Sequence, residues 1–174
     1  NLMAAEALIP LYEGAKDPKK LAGVLEIQLS HTEDLPTRVE RMQKLAELTE
    51  TSLKDKATAY TWYLKGFGED HRADWLRPEI ERLAAETGGW AQLVAAYEAA
   101  VPKFTDKMEA LPLLLVVARV YEEQMKNADK AIETNRQILS VDENNGIALE
   151  AVERLYLKTG RYTELLSIYQ KKLD

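Results

Sequence analysis

The sequence has no cysteine and only two histidines, His31 and His71. The first absence excludes disulfides and thiolate metal sites. It does not fix a compartment: a chain can do without cysteine in the cytoplasm, the expected location, or in the periplasm. The two histidines lie forty residues apart, each beside acidic residues at a loop position. Such histidines are more often solvated helix ends than zinc ligands, so no metal and no cofactor is expected. Glycine is sparse, with eight residues. Neither Gly66 with Gly68 nor Gly88 with Gly89 has the preceding strand and helix-opening lysine of a phosphate cradle, and these glycines are expected to end helices. No stretch approaches the roughly 20 consecutive apolar residues needed to cross a bilayer. The longest apolar run, Leu111 to Ala118, is interrupted by Pro112. Basic residues are outnumbered 29 to 23 by acidic ones, giving a formal charge of −6. The two signs are mixed throughout, so there is no basic stripe to displace counterions from a phosphate backbone, and nucleic acid is not an expected partner.

No basic, apolar leader opens the chain. It starts at Asn1 within an apolar-periodic stretch and is expected to be a segment of a longer array. With 46% hydrophobic and 30% charged residues among 174, it has enough apolar side chains for a folded core. Apolar residues recur at spacings of three and four, and strict alternation is absent, which predicts helices and no strand. Turn chemistry cuts the chain at Asp17 with Pro18, Glu33 to Pro36, Lys54 with Asp55, Gly88 with Gly89, Thr105 with Asp106, Asn144 with Asn145, and Gly160. Ten helical segments result. Asp106 and Glu109 have the spacing of a capping box, which predicts a helix start there. Pro78, Pro102 and Pro112 each remove an amide donor in or near a helix, and a late start or a bend is expected at Pro112. Trp62, Tyr63, Trp75, Trp90 and Tyr97 are expected in core or inter-repeat packing.

A pattern of an anchor followed by apolar residues three, four and often seven places later recurs along the chain. It is clearest as Trp90, Leu93, Val94, Tyr97 and as Tyr162, Leu165, Leu166, Tyr169. Weaker copies are Ala128, Ala131, Ile132, Asn135; Ala57, Tyr60, Thr61, Leu64; and Leu21, Val24, Leu25, Gln28. The anchors at 21, 57, 90, 128 and 162 are 36, 33, 38 and 34 residues apart, a period that indicates stacked repeats. Helices of about 12 to 15 residues are marginal alone, so neighbouring pairs must cover one another. The last helix is expected to expose Leu165, Ile168 and Tyr169.

This pattern resembles the tetratricopeptide repeat. The match is best in the last unit, with Tyr156, Gly160, Tyr162 and Tyr169, and continues before it in Ala128, Ala131, Ile138 and Asp142. Glu143 replaces the usual proline. The small residue of the first helix is Ala46 in the second unit and Ala118 in the fourth, but Glu153 in the fifth. The resemblance implies an all-α, right-handed superhelical α-solenoid of about five helix-turn-helix repeats, or ten antiparallel helices. Approximate repeats are 1–34, 35–70, 71–105, 106–143 and 144–174, in a single solenoid segment.

The resemblance also implies a non-catalytic protein-interaction scaffold whose first helices line a groove for a partner protein or peptide. Its groove residues would be Glu6, Gln43, Glu47, Arg82, Arg119, Glu150, Arg154 and Lys158. Arg82, Arg119 and Arg154 hold equivalent places in successive units and would form a ladder for carboxylates. The alternative is that Glu81, Glu86, Glu122, Glu123, Glu150 and Glu153 neutralise them in a surface network. The family's chaperone-clamping lysine and asparagine set is missing, so that partner is not implied. Two further readings remain: a structural spacer, or a segment that associates end to end. A carbohydrate enzyme on paired helices would need an acidic cleft that the mixed charges do not declare.

Overall fold

The computed structural model describes the backbone of residues 2–173 and the side chains of residues 7–170. Among these residues there are ten α-helices and no strand, as the apolar spacing requires. The helices are α1 (Leu2–Gly14), α2 (Pro18–Ser30), α3 (Leu35–Thr51), α4 (Lys56–Glu69), α5 (Arg77–Thr87), α6 (Trp90–Ala100), α7 (Leu111–Glu123), α8 (Ala128–Val141), α9 (Gly146–Thr159) and α10 (Tyr162–Leu173). Short 3-10 turns occupy Asp74–Leu76, Val101–Lys103 and Lys107–Ala110.

The chain divides into two units, Asn1–Ala96 and Tyr97–Asp174. In the first, α1 packs on α2, α2 on α3, α3 on α4, and α4 on α5. Ala22, Leu29, Met42 and Leu45 form a core there, flanked by Leu25, Leu48, Leu53 and Trp62. In the second, α7 packs on α8, α8 on α9, and α9 on α10. Leu111, Leu114, Ala118, Ile138 and Ala148 form its core. Within each unit the helices lean on their chain neighbours, which is how repeats bury apolar stripes too wide for a single partner.

Each even-numbered helix is launched in the same way. A residue in the left-handed region stands immediately before the N-cap: Lys16 (φ 52), Lys54 (φ 57), Gly88 (φ 73), Lys126 (φ 53) and Gly160 (φ 72). The preceding helix closes behind it. The amides of Asp17, Gly89 and Arg161 donate to the carbonyls of Tyr12, Ala84 and Tyr156, five residues back. In the second and fourth pairs the turn is one residue longer, and the amides of Asp55 and Asn127 reach Thr49 and Tyr121, six residues back. Where lysine takes the left-handed position, the next residue caps the helix with its side chain: Asp17 accepts from the Lys20 amide, Asp55 from Thr58 and Asn127 from Lys130. A left-handed conformation costs a residue with a Cβ about 1–2 kcal/mol, and an Asp or Asn cap returns about 1 kcal/mol. Gly89 is fixed for a separate reason: a Cβ there would lie 2.4 Å from the Tyr60 ring.

Four of the six prolines open helices, where the missing amide has no intrahelical partner: Pro18, Pro36, Pro78 and Pro112. The late start expected at Pro112 is therefore observed. The Asp106 side chain caps a start there, but it accepts from the Met108 amide, two residues on and not three, and it starts a 3-10 turn and not the α-helix itself.

Four expectations need correction. In the second repeat Ala57 and Thr61 are exposed, whereas Ala59, Tyr60, Tyr63 and Phe67 are buried. By place, two residues after the left-handed residue as Trp90, Ala128 and Tyr162 are, the equivalent positions are Lys56 here and Pro18 in the first repeat, and the spacings become 38, 34, 38 and 34. Gly66 does not end α4 but lies within it, where a Cβ would come 3.1 Å from Leu76 Cδ1. Trp75 is 58% exposed on its 3-10 turn instead of buried. In α10, Leu165 faces inward at 6% exposure, and among the described residues the exposed apolar side chains are Tyr162, Leu166 and Tyr169.

Replacing the exposed Lys54 or Lys126 with glycine removes the left-handed penalty at the cost of extra unfolded-chain entropy. Each substitution is expected to raise stability by about 0.5–1 kcal/mol in urea unfolding; a loss of stability would contradict the role assigned to these turns. The N-cap carboxylates of Asp17 and Asp55 are held below the ordinary range chiefly by the amides of Lys20 and Thr58, and that of Asp34 chiefly by the Thr37 hydroxyl. A lowered folded-state pKa contributes stability above the unfolded value, near 4, that is lost as pH falls through the folded value. The melting temperature should therefore drop below about pH 4, and Asp55→Asn, which keeps the capping oxygen, should flatten that drop.

Candidate functional site

The polar faces of the odd-numbered helices carry most of the groove residues named from sequence. In the first unit, Arg82 on α5 donates from Nε to Glu79 (2.9 Å), from Nη1 to Glu50 (2.9 Å) and Glu86 (3.0 Å), and from Nη2 to Glu50 (2.7 Å) and Glu79 (2.5 Å). A guanidinium has five N–H donors, and all five are engaged. The bonds to Glu50, Glu79 and Glu86 push the Arg82 pKa up. Lys56 reaches the other oxygen of Glu86 at 2.8 Å. On α3, Gln43 Nε2 donates to Glu47 at 2.9 Å.

Tyr63 of α4 lies beneath this network, 3% exposed. Burial, and then the carboxylates of Glu79, Glu47 and Glu50, push its pKa to about 12. Its hydroxyl has no hydrogen-bond partner among the described residues. The neighbouring Tyr60 donates its hydroxyl to the Gly89 carbonyl at 2.8 Å, and burial pushes its pKa to about 12 as well.

In the second unit, Arg154 on α9 donates to Glu122 on α7 from Nε (3.0 Å) and Nη2 (2.8 Å), two donors of five. Glu122 also raises its pKa. Arg119 and Lys158 are exposed and have no ion pair among the described residues. Glu150 is exposed on α9. The side chain of Glu6 lies outside the described residues. Of the neutralising acids named from sequence, Glu86 and Glu122 bond to these arginines and the charges of Glu123 and Glu150 also act on Arg154, while Glu81 lies 3.9 Å from Arg77. The structure brings Arg82 together with Glu50 and Glu79 as well, which were not anticipated.

Sequence reasoning also missed Arg38. It pairs with Glu69 through Nε and Nη2, both at 2.7 Å, while its Nη1 caps the Leu29 and Thr32 carbonyls at 3.0 and 2.8 Å. A signal existed. Glu50–Arg82, Glu122–Arg154 and Asp129–Arg161 are each 32 residues apart, close to one repeat period. An arginine with an acid one period earlier is thus a candidate for an inter-repeat ion pair. At Arg119 that earlier position is Thr87, which has no carboxylate.

Among the described residues, no three His, Asp or Glu side chains come together as a metal site, and no helix is long and apolar enough to cross a membrane.

A tetratricopeptide repeat family model matches residues 148–174. Two solved structures of MamA are similar. One has 16% identity over 99% of this chain and 90% of that chain, with a TM-score of 0.52. The other has 17% identity over 95% and 92%, with a TM-score of 0.53. A tetratricopeptide repeat protein from Parabacteroides merdae ATCC 43184 matches with 16% identity and a TM-score of 0.50; the match covers 98% of this chain and 64% of that chain. No curated protein matches the sequence. The fold is that of tetratricopeptide repeat proteins.

The matched repeat has the packing that this family name implies. Ala148, Ala151, Val152, Leu155 and Tyr156 are buried on α9, and Gly160 turns the chain into α10. Where the repeat has Glu153 in place of a small residue, the Tyr169 hydroxyl donates to its carboxylate.

The two buried tyrosines of α4 separate hydrogen bonding from packing. Tyr60→Phe leaves the Gly89 carbonyl without its donor and should cost about 1–1.5 kcal/mol. Tyr63→Phe removes a hydroxyl that bonds to nothing on the chain and should change stability by less than about 0.5 kcal/mol. Thermal unfolding of both variants measures the contrast, and equal losses would refute it.

Proposed function

We propose that this chain is a non-catalytic protein-interaction module that holds a partner protein or peptide on the polar faces of its odd-numbered helices. The observation supporting this reading is a tetratricopeptide fold whose polar side chains are fixed in place by ion pairs between successive repeats, with Arg82 on Glu50 and Arg154 on Glu122. A surface ordered in advance loses little side-chain entropy on binding, so contacts are converted to affinity efficiently. In the second unit, Arg119, Lys158 and the three remaining donors of Arg154 are the groups suited to carboxylates of a partner. In the first, Gln43 and Glu47 offer hydrogen bonds, while Arg82 acts as a positioning residue with no donor left to give.

A second reading is favoured by α10. Tyr162, Leu166 and Tyr169 are exposed there, whereas Val94 and Tyr97, the register equivalents of Leu166 and Tyr169 in α6, are buried at 4% and 0%. A face of this kind suits association with another repeat.

Capture with the tagged chain, followed by mass spectrometry, would supply a purified partner for calorimetry. Charge reversal of Arg119, Arg154 and Lys158 together should then weaken binding about tenfold or more. Leu166→Glu should do so instead if the α10 face carries the contact. A partner that binds both variants with unchanged affinity would refute both surfaces, and failure to retain any protein would refute the module itself.

A further inference from the structure

The network around Arg82 does not balance its own charge. Glu47, Glu50, Glu79 and Glu86 supply four negative charges, and Arg82 and Lys56 return two. Every donor of Arg82 is occupied, so the surplus is directed outward. One oxygen of Glu79 and one of Glu47 accept no bond from Arg82 or Gln43, and the Tyr63 hydroxyl has no partner among the described residues although its ring is buried. Acidic residues do not converge there in the manner of a metal site. What remains is a set of acceptors suited to a directional organic cation, an ammonium or guanidinium group.

Glu47 also lines a cavity of about 480 Å³ between α1, α2 and α3. Ile9, Leu21, Leu25 and Leu48 line it together with Arg41 and Lys44, which are engaged by the Gln28 carbonyl and by Glu40. Gln28 lies in its wall, 5% exposed. The Gln28 backbone carbonyl accepts from Arg41 at 2.9 Å and from Thr32 at 2.7 Å, but its side-chain amide has no partner among the described residues. A carboxamide offers one acceptor and two donors, the complement of a peptide backbone.

We propose that the first unit receives an extended segment of a partner protein bearing an apolar side chain next to a lysine or arginine. The apolar side chain enters the α1–α2–α3 cavity, the backbone pairs with the Gln28 amide, and the cation meets Glu47, Glu79 and the Tyr63 hydroxyl. This rests on the reading of the chain as a protein-interaction module and assigns its first unit a cationic ligand, opposite in sign to the carboxylates suited to Arg119 and Lys158.

The probe is a fluorescent peptide of about eight residues in which leucines flank a lysine among glycines and serines, followed by anisotropy with the whole chain. Binding is expected, and glutamate in place of the lysine should weaken it about tenfold or more. Glu47→Gln with Glu79→Gln should weaken it to a similar extent, about tenfold, and Tyr63→Phe about threefold without a change in melting temperature. Glu26→Gln with Glu33→Gln removes the same charge elsewhere on the unit and should leave affinity nearly unchanged. The proposal is overturned if that control pair weakens binding as much, if the glutamate peptide binds equally, or if no binding is seen. It is also overturned if the chain forms dimers that Glu47→Gln with Glu79→Gln dissolves, which would make a second copy the occupant. A captured partner that binds this double variant with full affinity would refute the cationic site alone and leave the module reading intact.

Discussion

The constraint on which each helical pair depends is the left-handed residue before the even-numbered helix. Five chain reversals place a residue of positive φ at that point, and two of the five are glycines. The remaining three are lysines, each followed by Asp or Asn, so the strain of the reversal and the gain of the cap are neighbours in sequence. The reversal sets where the second helix begins and therefore which of its faces meets the first. Moving it by one residue rotates the second helix by about 100° and would turn Tyr60 and Tyr63 away from the core. Packing of the apolar stripes then follows from the turn.

Ion pairs between repeats add a second layer of order. Bidentate arginine pairs of this kind, partly sheltered, hold long side chains in one geometry more than they add stability, since exposed pairs contribute about 0–1 kcal/mol. Their effect on function is subtractive. Each guanidinium engaged inside the chain is withdrawn from any partner, while each carboxylate left over is offered to one. Arg82 represents the first outcome, Arg119 the absence of any internal acid, and Glu47 the second outcome.

The ten helices were legible because apolar spacing and turn residues agreed at nearly every boundary, from Pro18 to Gly160. The register of the second repeat was not. Its helix carries Tyr60, Trp62, Tyr63, Leu64 and Phe67, so more than one face satisfies an apolar pattern, and burial of Ala59 on the inner side is what selects between them. The left-handed lysines were invisible for a different reason: lysine carries no sequence signal for positive φ, and only the Asp or Asn after it hints at the turn. The positions of Leu165 and Leu166 were likewise separated only by packing on α9, since both lie on the apolar side of α10.

Charged residues are harder to read because their role depends on partners in another repeat. Arg82, Arg119 and Arg154 look alike in their own helices, and sequence within a helix assigns them one function. The residue one period earlier distinguishes them: glutamate before Arg82 and Arg154, threonine before Arg119. Donor counting then ranks them further, with five bonds on Arg82 and two on Arg154. Among these three arginines, the one left to a ligand is thus the one whose acid is missing one period back, and the position most suggestive of binding by alignment can be the one most fully consumed by the fold. The same count, applied to acceptors, directs attention from Arg82 to the carboxylates around it and to Tyr63, whose hydroxyl the chain itself leaves unsatisfied.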